Sequence, residues 1–592
     1  MKQIKYSDYF CQVLKSLGYT HCFAVQGGNI MHLINSANNY FKLIPTLHEL
    51  TAVIASEYFN HINHKDKSFA LVTTGPGLTN CITGIAGAFL ESRENLIVGG
   101  QVKTHDLSNK KIRQIGIQEV KGTEIVKSIT KKSVGIIKTL NANQLKNIIL
   151  ESSQKRKGPV FIEIPIDVQA KNINYDKNYK IKKLNFSKKS NLNKVNTRYL
   201  IKLHKLLNSS KRPGILIGSG CSKIDKKKII IAMKKNRIPF FFSWNAADMA
   251  DNKILNNFGR PNIWGQRYSN ILIQQCDLLI SFGARLGLQQ TGFNYKEFLK
   301  NGKIVQIDID QNELDKKNPK KFMKIYGDAC KYFEKLILKK NFKKESWLNF
   351  CLNVKKKLPI NETYNNYCRK KYISPYNFYE MISQKIIKKT NIIPCSSGGS
   401  FTCFYQSFIQ KSNQNIVSNK SLASMGYGLA GAIGAALSNK LPTILFEGDG
   451  GFVQNFQDLG TAKINNLNIK IFIFNDNGYA SIRTTQSNYF KGHYVGCDSN
   501  SGLYFPDWKK LFNTYKIPCY KINKNFLNSK KFLSLFNSKK LVAFIIPIDP
   551  KQTYYPKISS KLDNKVGMVS NPIHKMTPPL DKSLENIVFK YI

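Results

Sequence analysis

Two short motifs in the C-terminal third of the chain carry oxygen ligands at a spacing that could form a metal site. The first, Gly448-Asp449-Gly450-Gly451, follows the apolar run Thr443 to Phe446. The second, Asn475-Asp476-Asn477-Gly478, follows the apolar run Ile469 to Phe474. Either motif alone is more often a tight turn or a hairpin than a site. Because they occur together, at the ends of two neighbouring apolar runs, they favour a ligand-binding function.

The elements that must position these motifs form a strand, a helix and a strand. Phe452, Phe456 and Leu459 recur at helical spacing and predict a helix that begins near Gly451. Such a βαβ unit brings the ends of both strands to one edge of a parallel sheet, where open α/β sheets bind ligands. Carboxylate and carbonyl oxygens suit a magnesium ion that keeps positions for phosphate, and a helix start favours an anion. We therefore predict a diphosphate clamp.

The paired motifs resemble the metal and diphosphate motif of thiamine diphosphate enzymes, in which Gly-Asp-Gly precedes Asn-Asn or Asn-Asp by about one βαβ unit. The resemblance implies that thiamine diphosphate and Mg²⁺ are cofactors, and that Asp449, Asp476 and the carbonyl of Gly478 hold the metal. Asp476 stands where that family usually has Asn. This difference predicts additional negative charge at the metal without loss of a ligand.

The N-terminal third also alternates strand and helix signals, and Glu49 is its main candidate for chemistry. A carboxylate between a strand and a helix is more often a cap, on position alone. However, the turns at Gly27-Gly28, His48-Glu49 and Thr74 to Gly77 resemble the pyrimidine-binding domain of the same family, in its acetolactate synthase branch. That resemblance implies that Glu49 hydrogen-bonds the aminopyrimidine ring and promotes its imino tautomer, while the cofactor acts as electron sink.

Further site residues follow from the same resemblance. Gln118 is a candidate near the active site, although a polar loop would explain it equally well, and Met425 is by default a core methionine. In the family the residue matching Met425 holds the cofactor in a bent shape, so the candidate catalytic residues are Glu49, Gln118 and Met425. The candidate cofactor-binding residues are Gly27, Gly28, Glu49, Pro76, Ser397, Gly398, Gly399, Ser400, Ala423, Met425, Gly448, Asp449, Gly450, Gly451, Asp476, Gly478 and Tyr479.

The whole chain predicts an α/β protein of three doubly wound parallel-sheet domains. We expect a pyrimidine-binding domain at 1–170, a central domain at 197–345, a diphosphate-binding domain at 373–555 and a C-terminal arm at 556–592. A Lys- and Asn-rich surface linker is expected between the first two. The arm is interpreted as an ordered lid or subunit-packing segment, with a plain surface tail as the alternative.

The central domain carries glycine turns that resemble a dinucleotide fold, which is weak as a motif. A purely structural domain is the alternative. In acetolactate synthases this domain binds FAD, so the resemblance implies FAD as a further cofactor. Its possible contacts would be Gly218, Gly220, Arg285, Asp308 and Asp328.

Composition limits the class of protein. The formal charge of +53 on 592 residues would suggest nucleic acid. The lysines are scattered, however, so we expect no nucleic-acid partner and keep a basic nucleic-acid-binding protein with a decayed enzyme fold as the non-enzyme alternative. DNA affinity that persists at physiological salt, without bound thiamine diphosphate, would favour that alternative. The twelve cysteines form no CxxC pair, and no run of about twenty apolar residues occurs. These features predict a soluble, cytoplasmic protein with reduced thiols and no membrane partner.

Three departures from the acetolactate synthase pattern affect the expected substrate. Thr485 replaces a tryptophan that shapes the pocket for the second substrate, Trp264 to Arg267 replace Gly-Met-His-Gly, and Gln26 replaces a proline. The chain resembles a side branch often found with surface-sugar biosynthesis. We expect an acetolactate synthase-like transferase that decarboxylates pyruvate and transfers the two-carbon unit to a 2-oxo acid or ketone. The alternatives are transfer to a nucleotide-linked keto-sugar and simple 2-oxo acid decarboxylation.

The same resemblance predicts the assembly. Family members place the residues that match Glu49 and Asp449 in different subunits at each site, so the working unit is expected to be at least a homodimer. A homotetramer and an added regulatory subunit are both compatible with this expectation.

Overall fold

Three parallel sheets follow one another along the chain, each with helices packed on both faces. The computed structural model describes residues 2–108, 112–175, 195–395, 397–563 and 567–592. The predicted fold class, α/β with three doubly wound parallel sheets, is confirmed. Most of the predicted linker lies outside the described residues. None of the helices in these ranges has the length and apolar character that a membrane span needs.

The first sheet has six strands in the spatial order β3-β2-β4-β5-β7-β6. Its strands are β2 (Tyr19–Ala24), β3 (Lys42–Pro45), β4 (Lys67–Val72), β5 (Asn95–Gln101), β6 (Lys132–Gly135) and β7 (Pro159–Pro165). A separate antiparallel ribbon pairs β1 (Lys2–Lys5) with β8 (Asn172–Tyr175). The helices are α1 (Tyr6–Ser16), α2 (Met31–Tyr40), α3 (Glu49–Ile62), α4 (Pro76–Thr79), α5 (Ile82–Leu90), α6 (Gly122–Ile125), α7 (Ala142–Leu150) and α8 (Ile166–Ala170).

The central sheet has five strands in the order β10-β9-β11-β12-β13. The strands are β9 (Pro213–Ile217), β10 (Phe240–Phe242), β11 (Leu278–Phe282), β12 (Lys303–Asp308) and β13 (Met323–Tyr326). The helices around it are α9 (Thr197–Ser209), α10 (Lys226–Lys235), α11 (Arg267–Gln274), α12 (Leu288–Thr291), α13 (Gln311–Asp315) and α14 (Ala329–Phe333), and α15 (Glu345–Lys357) leads onward to the third sheet.

The third sheet has six strands in the order β15-β14-β16-β17-β19-β18. The strands are β14 (Asn391–Pro394), β15 (Asn415–Ile416), β16 (Thr443–Gly448), β17 (Ile469–Asn475), β18 (Cys519–Lys521) and β19 (Val542–Pro547). The helices are α16 (Pro375–Lys385), α17 (Gly398–Ser407), α18 (Gly428–Asn439), α19 (Asp449–Phe452), α20 (Leu459–Ile464), α21 (Ala480–Tyr489), α22 (Trp508–Thr514) and α23 (Lys530–Asn537).

The first and third sheets share one hydrophobic core, built mainly by α3 and α18. Gly431 and Gly434 of α18 lie against Tyr58 and Ala55 of α3, where any side chain would collide. Small residues at these positions let the two helix backbones approach closely, so the α3 start and the α18 start are held in a fixed relation.

The C-terminal arm is ordered where it is described. It forms the antiparallel pair β20 (Ser560–Asp563) and β21 (Gly567–Ser570), then α24 (Lys582–Val588). Ile573 and Val588 pack into the core of the central sheet. Arg267 donates to Glu362 in a bidentate ion pair of 2.8 and 2.9 Å, and also to the carbonyl of Met576 at 3.2 Å. Arg267, one of the departures in sequence, therefore ties the arm to the central sheet.

Candidate active site

The two glycine-containing motifs meet at the carboxyl edge of the third sheet. Strands β16 and β17 pair in parallel, with Gly448 opposite Phe474. Asp449 Oδ2 accepts the backbone N–H groups of Asp476 at 3.1 Å and Asn477 at 2.7 Å. The ring of Tyr479 lies against Gly450, where a side chain would collide with it. The structure thus brings together the predicted metal-binding carboxylates from two separate strand ends.

Both carboxylates are buried, and burial raises the pKa of each. Asp449 is 2% exposed and Asp476 7% exposed. Burial, and then the Asp476 charge, raises the pKa of Asp449, while burial raises the pKa of Asp476 to about 6 against the lowering effect of Arg483. Such a site gains from a cation, because a positive charge stabilises both ionised carboxylates. Among the described residues no three His, Cys, Asp or Glu side chains cluster for metal binding, so a cation here needs the two carboxylates plus carbonyl or cofactor oxygens.

A serine and glycine loop faces this edge from α17. Gly398 has a φ of +85°. Apart from neighbouring residues of its own chain segment, no atom of the described residues lies within 4 Å of the place its Cβ would occupy, and the same is true of Gly28 in the first sheet. Ser400 Oγ is buried without a hydrogen-bond partner in the described residues and lies 3.9 Å from the Cβ position of Gly448. Ser397 is half-buried, and Gly399 packs on the ring of Tyr554. An unpartnered hydroxyl beside open glycines fits an anionic group such as a diphosphate.

Met425 stands at the start of α18, above the same edge. Its side chain is half-buried, and Gln454 Nε2 lies 3.6 Å from its Sδ. The next residue, Gly426, donates its N–H to the carbonyl of Gly451 at 3.0 Å, which fixes the loop on the glycine motif. Ala423 has a left-handed φ of +56°. Met425 is therefore not a fully buried core methionine, and its position suits contact with a ligand.

The helix predicted after Gly451 is not continuous. It breaks into α19, a short turn and α20, and the break contains Asn455 and Asp458. Asn455 Nδ2 donates to the Thr51 hydroxyl at 3.0 Å, and Asp458 Oδ1 accepts the N–H of Leu47 at 2.8 Å. These side chains satisfy groups at the start of α3, so contacts with the first sheet override local helix propensity.

Glu49 is the first residue of α3 and is half-buried. Its Oε2 accepts a hydrogen bond of 3.0 Å from Asn80 Nδ2, within the first sheet. The ring nitrogen of His48 lies 3.4 Å from Asn455 Oδ1, so one chain already places this helix start beside the segment that follows Asp449. Sequence reasoning missed Asn80 and Asn455, because neither belongs to a local motif.

The other predicted residues of the first sheet lie in the segments that follow β2, β4 and β5. Gly27 packs against Thr73, and Pro76 is exposed at the start of α4. Gln118 is exposed with a φ of +64°, and its carbonyl lies 3.4 Å from the Thr74 hydroxyl. A side chain at Gly75 would collide with Gln118. The backbone of Gln118 thus closes the loop, and its side chain is free to reach solvent or a ligand.

A cavity of about 810 Å³ is lined mainly by residues of the first and central domains, with Asn413, Lys420 and Ser421 of the third domain at one side. Four of the five predicted dinucleotide contacts, Gly220, Arg285, Asp308 and Asp328, line it. Gly218 lies instead against the backbone of Gly283 and Ala284. Burial raises the pKa of Asp308 to about 6. The cavity has the volume of a ligand site and a mixed lining of both charges.

Comparison with known proteins agrees with this geometry. Residues 4–125, 200–336 and 397–545 match the N-terminal TPP binding domain, the central domain and the C-terminal TPP binding domain of thiamine pyrophosphate enzymes. Acetolactate synthase 2, chloroplastic, of Nicotiana tabacum is 26% identical over 541 residues, covering 88% of this chain and 78% of the relative. The acetolactate synthase large subunit of Pyropia yezoensis is 26% identical, covering 86% and 85%. The chain therefore belongs to the thiamine diphosphate-dependent enzymes and is an acetolactate synthase-like member of them.

Proposed function

We propose that this enzyme uses Mg²⁺ with thiamine diphosphate to decarboxylate pyruvate and transfer the two-carbon unit to a 2-oxo acid or ketone. The convergence of Asp449 and Asp476 beside the unpartnered Ser400 hydroxyl is the observation that carries the proposal. This arrangement offers oxygen ligands to a divalent cation and a hydroxyl donor to a phosphate at one sheet edge. When bound, the cofactor supplies an electron sink for carbon–carbon bond cleavage and formation.

In this proposal the third sheet holds the diphosphate end of the cofactor. Asp449, Asp476 and the carbonyl of Gly478 bind Mg²⁺, which leaves coordination positions for phosphate oxygens. Ser400 would donate its hydroxyl hydrogen, and the open space at Gly398 would let a phosphate approach the backbone. Burial of both carboxylates excludes water from the metal and strengthens its electrostatic interactions.

The first sheet supplies the proton-handling group. Glu49 would hydrogen-bond a ring nitrogen of the pyrimidine; Asn80 donates to its Oε2, which leaves Oε1 for this role. A carboxylate there would exchange a proton with the ring and so make the neighbouring amino nitrogen basic. Met425 would support the ring system from the third domain, and the exposed side chain of Gln118, whose carbonyl lies beside the Thr74 hydroxyl, would contact the substrate.

Pyruvate supplied alone should distinguish the possible reactions. An enzyme that also uses pyruvate as acceptor is expected to accumulate acetolactate, because both substrate positions then accept a 2-oxo acid. Chromatography of the products over many turnovers measures this. Accumulation of acetaldehyde would contradict the carboligase proposal and favour simple decarboxylation. Absence of any product, with consumption only when a keto-sugar is added, would favour the second candidate.

That second candidate is transfer to a nucleotide-linked keto-sugar. It is favoured by Thr485, which occupies the position of the family's pocket-shaping tryptophan. Thr485 is exposed on α21, and its hydroxyl donates to the carbonyl of Ser481 at 3.0 Å. A small exposed residue there leaves more room for an acceptor than an indole would. A nucleotide-linked keto-sugar is larger than a 2-oxo acid, and the additional room beside Thr485 would accommodate it.

We also propose that two chains complete each site. Large apolar side chains are exposed in the segments that carry the two halves of the site: Leu47 and Ile117 in the first domain, and Ile482, Phe490 and Tyr504 after Gly478 in the third. The side chain of Ile117 is 85% exposed. Apolar surface of this kind favours burial against a second copy, which agrees with the assembly implied by the family resemblance. Either a homodimer or a homotetramer would contain such a contact.

FAD in the central cavity is a further proposal. The cavity volume and the four lining residues Gly220, Arg285, Asp308 and Asp328 support it, since Asp308 ends β12 as ribose-binding acids do in dinucleotide folds. Purified protein should then release flavin on denaturation, which its absorption spectrum would report. A spectrum without flavin, in protein reconstituted with FAD and then desalted, would contradict it.

A further inference from the structure

The extra carboxylate at the proposed metal site has a buried cationic partner. Arg483, on the first turn of α21, is 6% exposed. Its Nη2 donates to Asp476 Oδ1 at 2.6 Å and to the Asp476 carbonyl at 3.3 Å. Its Nη1 lies 3.5 Å from the carbonyl of Cys497, and its Nε has no partner in the described residues. The guanidinium of Arg483 thus forms its shortest hydrogen bonds with Asp476.

The backbone is shaped to admit this guanidinium. A side chain at Gly478 would collide with Arg483 Nη1 and with the Cys497 carbonyl. The missing Cβ at Gly478 therefore lets the guanidinium lie directly against the turn that follows Asp476. The ion pair between Arg483 and Asp476 belongs to the interior of the turn and is not a surface contact, since both side chains are less than 10% exposed.

Charge explains why the pair is needed. When both are ionised, as a bound cation requires, Asp449 and Asp476 together carry two negative charges, whereas Asp with Asn, the usual family pair, carries one. Arg483 returns the net charge of the three side chains to minus one. An uncompensated second carboxylate would repel the anionic diphosphate that must share the metal.

Arg483 does not take the place of the cation. It forms no ion pair with Asp449, whose oxygens accept only backbone N–H groups within the described part of the chain. The ion pair also engages one oxygen of Asp476 and leaves the other outside it. Within the described ranges, Asp449 and the second Asp476 oxygen therefore have no ion-pair partner.

We propose that Arg483 is a positioning residue that neutralises the additional carboxylate of Asp476, so that the metal site accepts a divalent cation and a diphosphate together. This inference rests on the proposed Mg²⁺ site. It makes Asp476 and Arg483 a matched pair: either residue without the other is expected to weaken the binding of the cation or of the diphosphate. A double-mutant cycle tests such a pair directly.

The single variants should fail in opposite ways. In Arg483→Gln, Mn²⁺ alone should bind at least as tightly as in the wild type, because the site becomes more negative. Thiamine diphosphate at saturating Mn²⁺ should bind about tenfold or more weakly, because its phosphates meet that charge. In Asp476→Asn, the unopposed guanidinium should weaken Mn²⁺ binding about tenfold or more. Electron paramagnetic resonance of free Mn²⁺ and calorimetric titration of the cofactor measure these affinities.

The double variant Asp476→Asn/Arg483→Gln should restore both affinities to within about threefold of the wild type. Affinities in the double variant that equal the product of the single losses would overturn the inference. So would an Arg483→Gln variant with both affinities unchanged. A merely structural role for Arg483 predicts loss without rescue, accompanied by a lower melting temperature.

Arg267 provides a matched control, because it forms another deeply buried arginine–carboxylate pair, with Glu362, outside the proposed metal site. Arg267→Gln should lower the melting temperature and leave Mn²⁺ affinity of the folded protein unchanged. A wild-type protein that binds no Mn²⁺ would contradict the proposed metal site, and the inference with it. Normal wild-type binding without the rescue would contradict the inference alone.

Discussion

The Glu49→Gln enzyme is expected to turn over about 10² to 10⁴ times more slowly than the wild type, because it lacks the carboxylate that shifts a proton on the pyrimidine. Folding and cofactor affinity should change little. Glu49 is only half-buried, and the Gln amide oxygen can still accept the hydrogen bond from Asn80. The decisive measurement is the exchange rate of the cofactor C2 proton with deuterium, followed by NMR after rapid quenching, since this rate reports proton handling before any substrate binds.

Glu124 supplies a control for this substitution. It is an exposed acid in the first turn of α6, in the same domain, and it is not one of the candidate site residues. Glu124→Gln should leave both turnover and C2 exchange at wild-type values. If Glu49→Gln exchanges the C2 proton as fast as the wild type, Glu49 has no role in this step.

The Asp449→Ala enzyme is expected to lose Mg²⁺ and thiamine diphosphate together, with cofactor affinity reduced about 100-fold or more. Removal of the carboxylate takes away one of two charged metal ligands, and charge-assisted contacts are each worth about 1.5–3 kcal/mol. It also leaves the buried N–H groups of Asp476 and Asn477 without their acceptor. A lower melting temperature is therefore expected alongside the loss of binding.

Asp449→Asn separates the two effects. Its amide oxygen can still accept the N–H groups of Asp476 and Asn477, so this variant should fold with near-normal stability while it binds Mg²⁺ weakly. Calorimetric titration with and without Mg²⁺, together with a melting curve, distinguishes binding from folding. Cofactor affinity that stays undiminished in both variants would contradict the assignment of Asp449 to the metal.

Much of this site could be predicted from sequence because it depends on local rules. Glycine motifs after the apolar runs of β16 and β17 predicted two adjacent strand ends, and parallel pairing places such ends together. The observed hydrogen bonds from Asp476 and Asn477 to Asp449 agree with that expectation. The roles of these residues stay proposals that the variants above test.

The parts that sequence reasoning missed depend on contacts between distant segments. Nothing in the residues after Gly451 shows that Asn455 and Asp458 bond to α3 and break the expected helix. The shared core of α3 and α18 likewise requires two sheets more than 350 residues apart in sequence to meet, as in the hydrogen bond from Tyr427 to Glu57. Arg483 could have been anticipated, because a second buried carboxylate needs a cation nearby.

The central proposal is that Glu49 of one chain and Asp449 of another serve the same cofactor, rather than the two residues of one chain, whose surroundings meet in the contact between His48 and Asn455. Subunit mixing tests this proposal most directly. Glu49→Gln and Asp449→Asn chains, each nearly inactive alone, would be co-expressed in equal amounts and purified as a mixture. If sites form between chains, half of the dimers are mixed and each has one intact site, so about a quarter of wild-type activity should return. Activity no higher than that of the separate variants would contradict the claim.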